Sequence, residues 1–324
     1  MSFSTQTALN VVINQRELHG QAVAVMELRA ANDASLPAYE AGAHIDVYLP
    51  NGIVRAYSLC GDPADTSHYR IGVLREPESR GGSAAVHDLL ESGSTIRIGA
   101  PRNHFPLSES APYSVLIGGG IGITPMLAMA WRLHALGKPF ELHYCLRHRA
   151  QAAFLEELAN VPWRANVHLH VSEDGEQARL APAAMLRAAP QGRHVYVCGP
   201  AGLMDCVLEA ASDVGLSSRE IHREYFSAPV QAVGENAAFE LVARRSGKTV
   251  VVRADQSLLE ALRSIDVQVD VSCEEGVCGT CACTVLDGEP DHRDAYLTDE
   301  EREANDQILV CCSRARSTRL VLDV

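Results

Sequence analysis

The sequence lacks the features of a membrane-embedded or exported protein. No apolar run in its 324 residues approaches the ~20 residues that a helix needs to span a bilayer. Residues 1–20 contain no basic region followed by an apolar stretch, so we expect no signal peptide. Ten cysteines without an export signal indicate a reducing compartment, in which thiols bind metal or stay reduced. We therefore expect a cytoplasmic protein that does not associate with membranes.

A basic excess is missing as well. The formal net charge is −13, which argues against the basic surface that nucleic-acid recognition needs. Between residues 270 and 306, twelve carboxylates face only Arg293 and Arg302, a local charge of −10. These carboxylates form either a solubilising surface or a surface that steers a basic protein partner. The content of 47% hydrophobic and 21% charged residues is that of a globular protein, and the length suggests two or three domains.

The cysteines form the most specific pattern in the chain. Cys273, Cys278 and Cys281 have the spacing C-x4-C-x2-C, and Cys311 and Cys312 follow near the C-terminus. This is the plant-type ligand spacing of a [2Fe–2S] cluster. A zinc site of four cysteines usually shows two C-x2-C pairs, and disulfides need an oxidising compartment. The pattern therefore favours an iron–sulfur cluster, a one-electron carrier.

The fourth cluster ligand stays open at this point. If Cys311 and Cys312 lie on a strand, they point to opposite faces, so only one of them can reach the irons. Cys283 is a further cysteine near the pattern, and it is more typical of a small buried side chain than of a ligand.

The first part of the chain, up to residue 108, reads as short strands separated by turns. This pattern predicts a small antiparallel β-barrel. Its strands include residues 44–49, 53–59 and 69–74, with Asn51-Gly52 as a turn, and only residues 84–90 look helical.

From residue 109 to residue 228, apolar strands alternate with helices, which indicates a parallel doubly wound sheet. The predicted strands are residues 114–117, 140–146, 166–171 and 194–198, and the predicted helices are residues 125–136 and 152–158. Residues 229–237 are expected to be a linker. Beyond them, residues 239–242 and 249–253 predict a β-hairpin, and residues 257–264 predict a helix capped by Ser257.

Two short motifs in the barrel segment could bind an anion or a ring. Arg55 and Tyr57 share one face of a predicted strand and Ser58 lies on the other, a pattern that an ordinary strand also shows. The sequence RGGS at residues 80–83 opens a helix. Its free N–H groups and dipole favour an anion, although a plain capped helix has the same pattern.

Two more motifs lie at the carboxyl ends of predicted sheet strands. The sequence GGGIGITP at residues 118–125 lets a pyrophosphate approach the backbone at a helix N-terminus. Ile123 stands where the G-x-G-x-x-G pattern has its last glycine, and a tight structural turn is the alternative. Cys198-Gly199-Pro200 ends the fourth predicted strand, where open α/β sheets bind ligands, but Cys198 could equally be a core residue.

Together these motifs make the chain resemble the phthalate dioxygenase reductase family, which includes vanillate demethylase reductases. The resemblance spans nearly the full length and is carried by RAYSLC at 55–60, RGGS at 80–83, GGIGITPM at 119–126, CGP at 198–200, EYF at 224–226, the cysteine set and VCCSRA at 310–315. It implies an antiparallel β-barrel flavin domain (1–108), an α/β doubly wound parallel-sheet nucleotide domain (109–228) and an α+β β-grasp plant-type ferredoxin domain (237–324). It also places Cys311 in the ligand position.

The resemblance further implies FMN, NADH and a [2Fe–2S] cluster as cofactors. Arg55, Tyr57 and Ser58 would hold the flavin, whose ring Phe226 would cover. The remaining implied residues are Arg80, Gly81, Gly82 and Ser83, with Arg55, for the flavin phosphate; Gly119, Gly120, Gly122, Thr124, Pro125, Cys198, Gly199 and Pro200 for the dinucleotide, with Thr124 and Cys198 near the nicotinamide; and Cys273, Cys278, Cys281 and Cys311 for the cluster. Hydride transfer requires no acid–base residue, so none is assigned.

The implied activity is electron transfer from NADH through FMN and the cluster to a terminal Rieske-type oxygenase, docked transiently at the acidic face. A di-iron hydroxylase or a free ferredoxin could accept the electrons instead, and a redox-sensing iron–sulfur regulator is a further alternative. We expect a monomer. The choice of NADH follows from the resemblance alone, because Arg147 and Arg149 follow the second predicted strand, where a 2′-phosphate could bind.

Overall fold

The computed structural model describes residues 8–32, 34–226 and 236–324. The chain divides into two compact units, Met1–Glu224 and Tyr225–Val324. The expected linker, residues 229–237, lies outside the described residues except for its last two positions. Within the first unit a single apolar core runs through both a barrel and a parallel sheet. The three domain boundaries stay predictions.

The first unit begins with an antiparallel barrel. Its strands pair in the order β4-β3-β6-β1-β2-β5, and β7 pairs with β3. A bridge between Leu59 and Ile71 joins the two ends, where Cys60 N–H also donates to the Arg70 carbonyl at 2.9 Å. The elements are β1 (Leu9–His19), β2 (Val23–Ala30), β3 (Ala43–Tyr48), β4 (Val54–Ser58), β5 (Tyr69–Leu74), α1 (Gly82–Leu89), β6 (Thr95–Ile98) and β7 (Arg102–Asn103).

The rest of the first unit is a five-stranded sheet with every pair parallel. Its strands follow the order β10-β9-β8-β11-β12, so the chain reverses direction across the sheet between β8 and β11. Open α/β sheets bind ligands at this switch point. The elements are β8 (Tyr113–Gly119), α2 (Ile123–Ala135), β9 (Phe140–Leu146), α3 (Leu155–Asn160), β10 (Val167–Val171), α4 (Pro182–Ala188), β11 (Arg193–Cys198), α5 (Ala201–Asp213) and β12 (Ile221–Glu224).

The helix predicted at residues 152–158 begins later in the structure than the sequence indicated. The pattern indicated a helix from residue 152, but α3 begins at Leu155 because Phe154 has a left-handed backbone, with φ at 62°. The Phe154 ring is buried against the barrel, 3.0 Å from the position that a Cβ on Gly72 would take. Its backbone N–H donates to Nδ1 of His19 at 3.1 Å. Packing between barrel and sheet therefore overrides the local helical pattern.

The second unit is a mixed sheet of the β-grasp type. Its strands follow the order β14-β13-β19-β15-β17, with β13 parallel to β19 and the other neighbours antiparallel. The predicted hairpin is β13–β14, and the predicted helix is α6, where Ser257 and Glu260 form a capping box. The elements are β13 (Phe239–Ala243), β14 (Lys248–Val252), α6 (Leu258–Ser264), β15 (Ala282–Asp287), β16 (Pro290–Asp291), α7 (Asp299–Ala304), β17 (Gln307–Leu309), β18 (Arg314–Ala315) and β19 (Arg319–Leu322).

In the parts of the chain that the structure describes, no helix is long and apolar enough to cross a membrane.

Candidate cofactor sites

The four predicted cluster ligands lie in the second unit as two close pairs of thiols. Cys273 hydrogen-bonds to Cys278, and Cys281 hydrogen-bonds to Cys311. Two pairs of sulfurs are what two irons require, since each iron of a [2Fe–2S] cluster takes two protein ligands. The contact between Cys273 and Cys278 lowers the pKa of Cys278 and raises the pKa of Cys273, because the two thiols share one proton. The donor set therefore fits a [2Fe–2S] cluster.

The loop between the ligands is held too tightly for larger residues. Gly276 and Gly279 both have positive φ. A Cβ on Gly276 would lie 2.5 Å from the Cys312 sulfur, and one on Gly279 would lie 2.3 Å from the Tyr296 ring. The chain can therefore turn its amides toward the sulfurs, as Glu275 does by donating its N–H to Cys273 Sγ at 3.3 Å.

The two adjacent cysteines differ in what they contact. They lie in the turn that follows β17, not on a strand, which corrects the expectation that alternation separates them. Cys311 hydrogen-bonds to both Cys281 and Cys312, whereas the Cys312 sulfur lies near the Leu309 carbonyl and the Ser313 hydroxyl. The assignment of Cys311 as the fourth ligand stays a prediction, and these contacts support it.

A buried carboxylate that the sequence analysis missed anchors the cluster loop. Asp294 is fully buried and accepts hydrogen bonds from the backbone N–H groups of Tyr296 at 3.1 Å and Leu297 at 2.8 Å. The next residue, Ala295, donates its N–H to the Gly276 carbonyl at 2.9 Å. Only its place in an acidic stretch marks Asp294 in the sequence, and that stretch suggested a surface residue.

In the barrel, the two anion motifs come together although they are far apart in the sequence. Arg55 on β4 packs over Gly82 at the start of α1, where a Cβ would lie 2.9 Å from Arg55 Cγ and Nε. Gly81 has φ at 90° and is the N-cap of α1 without a side-chain cap. A guanidinium beside the N-terminus of a helix is an arrangement that binds phosphate.

The hydroxyl predicted for this site is already engaged. Ser83 accepts from the Glu76 N–H at 3.1 Å and donates to Ser79 at 3.0 Å. Ser79, which the sequence analysis did not single out, also accepts from the N–H groups of Gly81 and Ala84. The turn is thus organised by Ser79, and Gly82 is the glycine of the turn that packs against Arg55. Arg80 is exposed in the same turn.

The other two flavin candidates, Tyr57 and Ser58, follow Arg55 on β4. Tyr57 is partly buried, and burial raises the pKa of its hydroxyl to about 12, so the group stays a hydrogen-bond donor. Ser58 is buried at the end of the strand. The strand geometry separates the two side chains as expected.

The dinucleotide motifs meet at the switch point of the parallel sheet. Gly118 pairs with Cys198 across β8 and β11. Gly119 and Gly199 are so close that a Cβ on Gly199 would lie 2.9 Å from Gly119 Cα. By contrast, a Cβ on Gly120, whose φ is 54°, would meet nothing within 4 Å. The turn is therefore packed at Gly119 against the residues that follow β11 and open at Gly120, and a bound pyrophosphate requires such an open backbone.

The remaining predicted residues frame this site. Thr124 is buried at the start of α2, donates to the Ile121 carbonyl at 2.9 Å, and lies against Gly72 of the barrel. Pro125 follows it in the first turn of α2, and Pro200 is the N-cap of α5. Phe226 belongs to the second unit and is 40% exposed, and its role over the flavin stays a prediction.

A polar group between barrel and sheet escaped the sequence analysis. The Ser58 hydroxyl donates to Glu224 Oε2 at 3.4 Å, and Glu224 pairs with Cys198 across β11 and β12. Desolvation raises the pKa of Glu224 to about 8, and burial raises the pKa of Cys198 well above its usual value. The EYF motif at 224–226 marked Glu224 but assigned it no role. The raised pKa favours the protonated form of Glu224 near neutral pH.

Two protein-family models match this chain, one over the parallel sheet and one over the second unit. Residues 116–209 match the oxidoreductase NAD-binding domain, and residues 242–316 match the 2Fe-2S iron-sulfur cluster binding domain.

Similar proteins cover the whole chain. Vanillate O-demethylase oxidoreductase from Pseudomonas sp. (strain HR199 / DSM 7063) is 46% identical over 316 residues, 98% of this chain and 100% of the relative. The solved phthalate dioxygenase reductase, described as a modular structure for electron transfer from pyridine nucleotides to [2Fe–2S], is 38% identical with a TM-score of 0.75 and 98% coverage of both chains. An intact type IV self-sufficient cytochrome P450 monooxygenase is 38% identical with a TM-score of 0.86, covering 98% of this chain and 41% of that chain.

A flavin barrel, a nucleotide-binding sheet and a plant-type ferredoxin domain in one chain define an iron–sulfur flavoprotein oxidoreductase. The chain belongs to the phthalate dioxygenase reductase family, which includes vanillate O-demethylase oxidoreductases. The predicted family, fold class and cofactors (FMN, NADH and a [2Fe–2S] cluster) are confirmed. The individual site residues stay predictions that the contacts above support.

Proposed function

We propose that this chain is the NADH-dependent reductase component of a Rieske-type aromatic-ring oxygenase. The observation that carries the proposal is the full-length similarity to a vanillate O-demethylase oxidoreductase, at 46% identity over 98% of this chain. FMN, when bound, supplies the chemistry that accepts a hydride from NADH and releases electrons singly. Cys273, Cys278, Cys281 and Cys311 would hold the [2Fe–2S] cluster, which would supply one-electron transfer toward the terminal oxygenase.

The chain's own residues bind and orient the reactants. Arg55 would neutralise the flavin phosphate beside the Gly82 backbone, while the open backbone at Gly120 would let the pyrophosphate of NADH reach the N-terminus of α2. Hydride transfer needs donor and acceptor in contact, and the packing of Thr124 against Gly72 would hold the nucleotide-binding sheet next to the barrel. No residue has to supply or remove a proton for the hydride to move.

The charges after β9 and β10 favour NADH over NADPH. Arg149 donates to Asp174 at 2.6 Å, and its backbone N–H donates to Glu173 at 2.6 Å. These two carboxylates stand beside the arginine that could otherwise bind a 2′-phosphate, and they would repel that group. We therefore expect a kcat/KM for NADH well above that for NADPH.

The acidic part of the second unit is the surface proposed to dock the oxygenase. Its exposed carboxylates include Asp270, Asp287, Glu289, Glu300, Glu303 and Asp306. A field of one sign steers a partner of opposite charge and raises the association rate. The partner surface is therefore expected to be basic.

The decisive experiment is reconstituted turnover. Purified holoprotein, NADH and a Rieske-type oxygenase encoded beside this chain should convert the aromatic substrate with NADH consumption coupled to product. The visible spectrum should show flavin and cluster absorption, both bleached by NADH. Rapid reduction of a dye without any reduction of the Rieske oxygenase would reject the partner and keep the reductase. A colourless protein after anaerobic iron–sulfur reconstitution would reject both.

A second candidate acceptor is a haem oxygenase. The similar self-sufficient cytochrome P450 monooxygenase is a single chain of which this chain covers 41%, at 38% identity. A cytochrome P450 as acceptor would replace the Rieske oxygenase in the same assay, and the carbon monoxide difference spectrum under NADH would report its reduction. A di-iron hydroxylase and a free ferredoxin are tested in the same way.

A further inference from the structure

One side-chain cluster lies outside every cofactor site described above. It sits on one face of the parallel sheet, where His143 on β9 and His168 on β10 are direct cross-strand neighbours. Glu141 lies two residues before His143 and therefore on the same face. The cluster contains two imidazoles and one carboxylate, which are ligands that zinc prefers.

The distances match a metal coordination shell. His143 Nε2 and His168 Nε2 lie 3.4 Å and 3.7 Å from the same oxygen, Oε2 of Glu141. One ligand atom from each residue lies within 4.8 Å of the others. Ligand bonds of about 2.1 Å in a tetrahedron put ligand atoms about 3.4 Å apart. An ion at the centre would require the His168 ring to move inward and to tilt out of its stack with His143.

The orientation of His143 adds an independent observation. Its side chain is 6% exposed, and its Nε2 lies 3.4 Å from the Glu141 carboxylate without the geometry of a hydrogen bond. Its other nitrogen, Nδ1, hydrogen-bonds to Nε2 of His170 at 2.9 Å, and His170 also hydrogen-bonds to the backbone of Ala178. A metal-bound histidine typically uses its second nitrogen in this way, which orients the ring and fixes its tautomer.

The cluster is open to solvent on one side. His168 is 48% exposed and Glu141 is 20% exposed, whereas His143 closes the inner side. The rings of His143 and His168 are stacked with centroids 4.8 Å apart, and the Nε2 atom of each lies within 3.7 Å of the Glu141 carboxylate. An ion can therefore enter from solvent and keep a water as a further ligand.

We propose that Glu141, His143 and His168 form a binding site for a divalent transition-metal ion of the zinc class, with His170 as the residue that positions His143. The ion would join β9 to β10, the outer strand of the sheet, and so stabilise the nucleotide-binding part of the first unit. It takes no part in electron transfer, because zinc has no redox chemistry in proteins.

The test is a calorimetric titration of the holoprotein, freed of loose metal by brief chelation and desalting, with zinc chloride and then nickel chloride. Wild-type protein should bind one equivalent at this site, and its thermal midpoint should rise with zinc. Glu141→Gln and His168→Asn should each weaken that equivalent by at least about tenfold and abolish the rise. Both positions reach the surface, so both variants should fold.

The other face of the same sheet offers a matched control. His194 and His222 also stack and hydrogen-bond at 2.9 Å, and the structure describes no carboxylate with them in a metal-binding group. His222→Asn should therefore leave zinc binding unchanged. Cluster absorbance is recorded during the titration, so that displacement of iron is seen separately.

Two results would overturn the proposal. One is equal zinc affinity in wild type, Glu141→Gln and His168→Asn, which would assign the binding to surface groups elsewhere. The other is no calorimetric binding and no thermal shift at millimolar zinc, which would make the cluster a proton-shared ion pair only. Neither result would touch the proposed reductase function, because dye reduction by NADH is expected to be the same in all these variants.

Discussion

At the scale of the residue, the two adjacent cysteines show how a neighbour decides chemistry. Cys311 and Cys312 share a turn, but only Cys311 has its sulfur against Cys281. The space that Cys312 takes instead exists because Gly276 has no side chain. Two adjacent cysteines therefore have different contacts, and only Cys311 is expected to bind iron.

We expect Cys311→Ser to lose the cluster or destabilise it strongly, because a hydroxyl replaces the thiolate that completes the iron ligands. Reduction of FMN by NADH should persist, since that chemistry resides in the first unit. Cys312→Ser is the control and should keep the cluster. Electron paramagnetic resonance of the reduced proteins measures the cluster, and the reverse pattern would make Cys312 the ligand.

Glu224 is the second case at this scale, and it predicts a pH dependence. Desolvation raises its pKa from 4.5 to about 8 in the folded protein. The folded state then binds the proton more tightly than the unfolded state. The stabilisation is fully present below the unfolded pKa of 4.5 and is lost as the pH rises through about 8.

Glu224→Gln keeps a neutral side chain at every pH. We therefore expect its free energy of unfolding to fall less than that of wild type as the pH rises. Urea unfolding of the FMN-loaded protein between about pH 5 and about pH 9 measures the free energy of unfolding for both proteins. Wild type should lose stability across that range, and the variant should lose less. Parallel curves would show that Glu224 ionises normally.

At the scale of the element, the turn from β8 to α2 depends on its contact with β11. A Cβ on Gly122 would lie 2.3 Å from the Cys198 carbonyl oxygen and 2.5 Å from its carbon. The loop must therefore move if any side chain is added. The same glycines that resemble a nucleotide motif in the sequence are required by the packing of two strands.

We expect Gly122→Ala to lower the free energy of unfolding by about 1–3 kcal/mol and to raise KM for NADH, because the turn shifts away from the pyrophosphate position. Gly202→Ala is the matched control, since a Cβ there meets nothing within 4 Å and the residue lies in the first turn of α5. It should be neutral or slightly stabilising. Unchanged NADH kinetics in Gly122→Ala would separate this turn from nucleotide binding.

At the scale of the whole molecule, each unit has its own apolar core, but the surplus of carboxylates lies in only one of them. The first unit has one apolar core that joins barrel and sheet, and the second unit has its own. The local surplus of carboxylates falls in the second unit, which also holds the cluster ligands. Electron exit and acidic surface therefore belong to the same unit.

We expect the double variant Glu300→Lys, Glu303→Lys to reduce its partner oxygenase about tenfold more slowly at low salt, because it weakens electrostatic steering. Dye reduction by NADH should not change. The double variant Glu209→Lys, Asp213→Lys makes the same charge change on α5 of the first unit and is the control. The difference should vanish near 1 M salt, where charges are screened within about 3 Å; equal rates at low salt would rule out this docking face.

The sequence by itself determined the chemistry of this protein wherever the relevant residues are close in the chain. The spacing of Cys273, Cys278 and Cys281 specifies a [2Fe–2S] loop, and the glycines at 118–122 specify a turn between strand and helix, because a few bond lengths set those geometries. Strand–helix alternation likewise predicted the parallel sheet, since the period of the apolar residues reflects local structure.

Only the tertiary structure decided the contacts between distant segments. It brought Ser58 to Glu224 across 166 positions, buried Asp294 under the cluster loop, and turned Phe154 out of its helix. It also gathered Glu141, His143 and His168 on two strands. Each of these depends on packing between elements whose neighbours are set by the fold, so no local pattern in the sequence could indicate it.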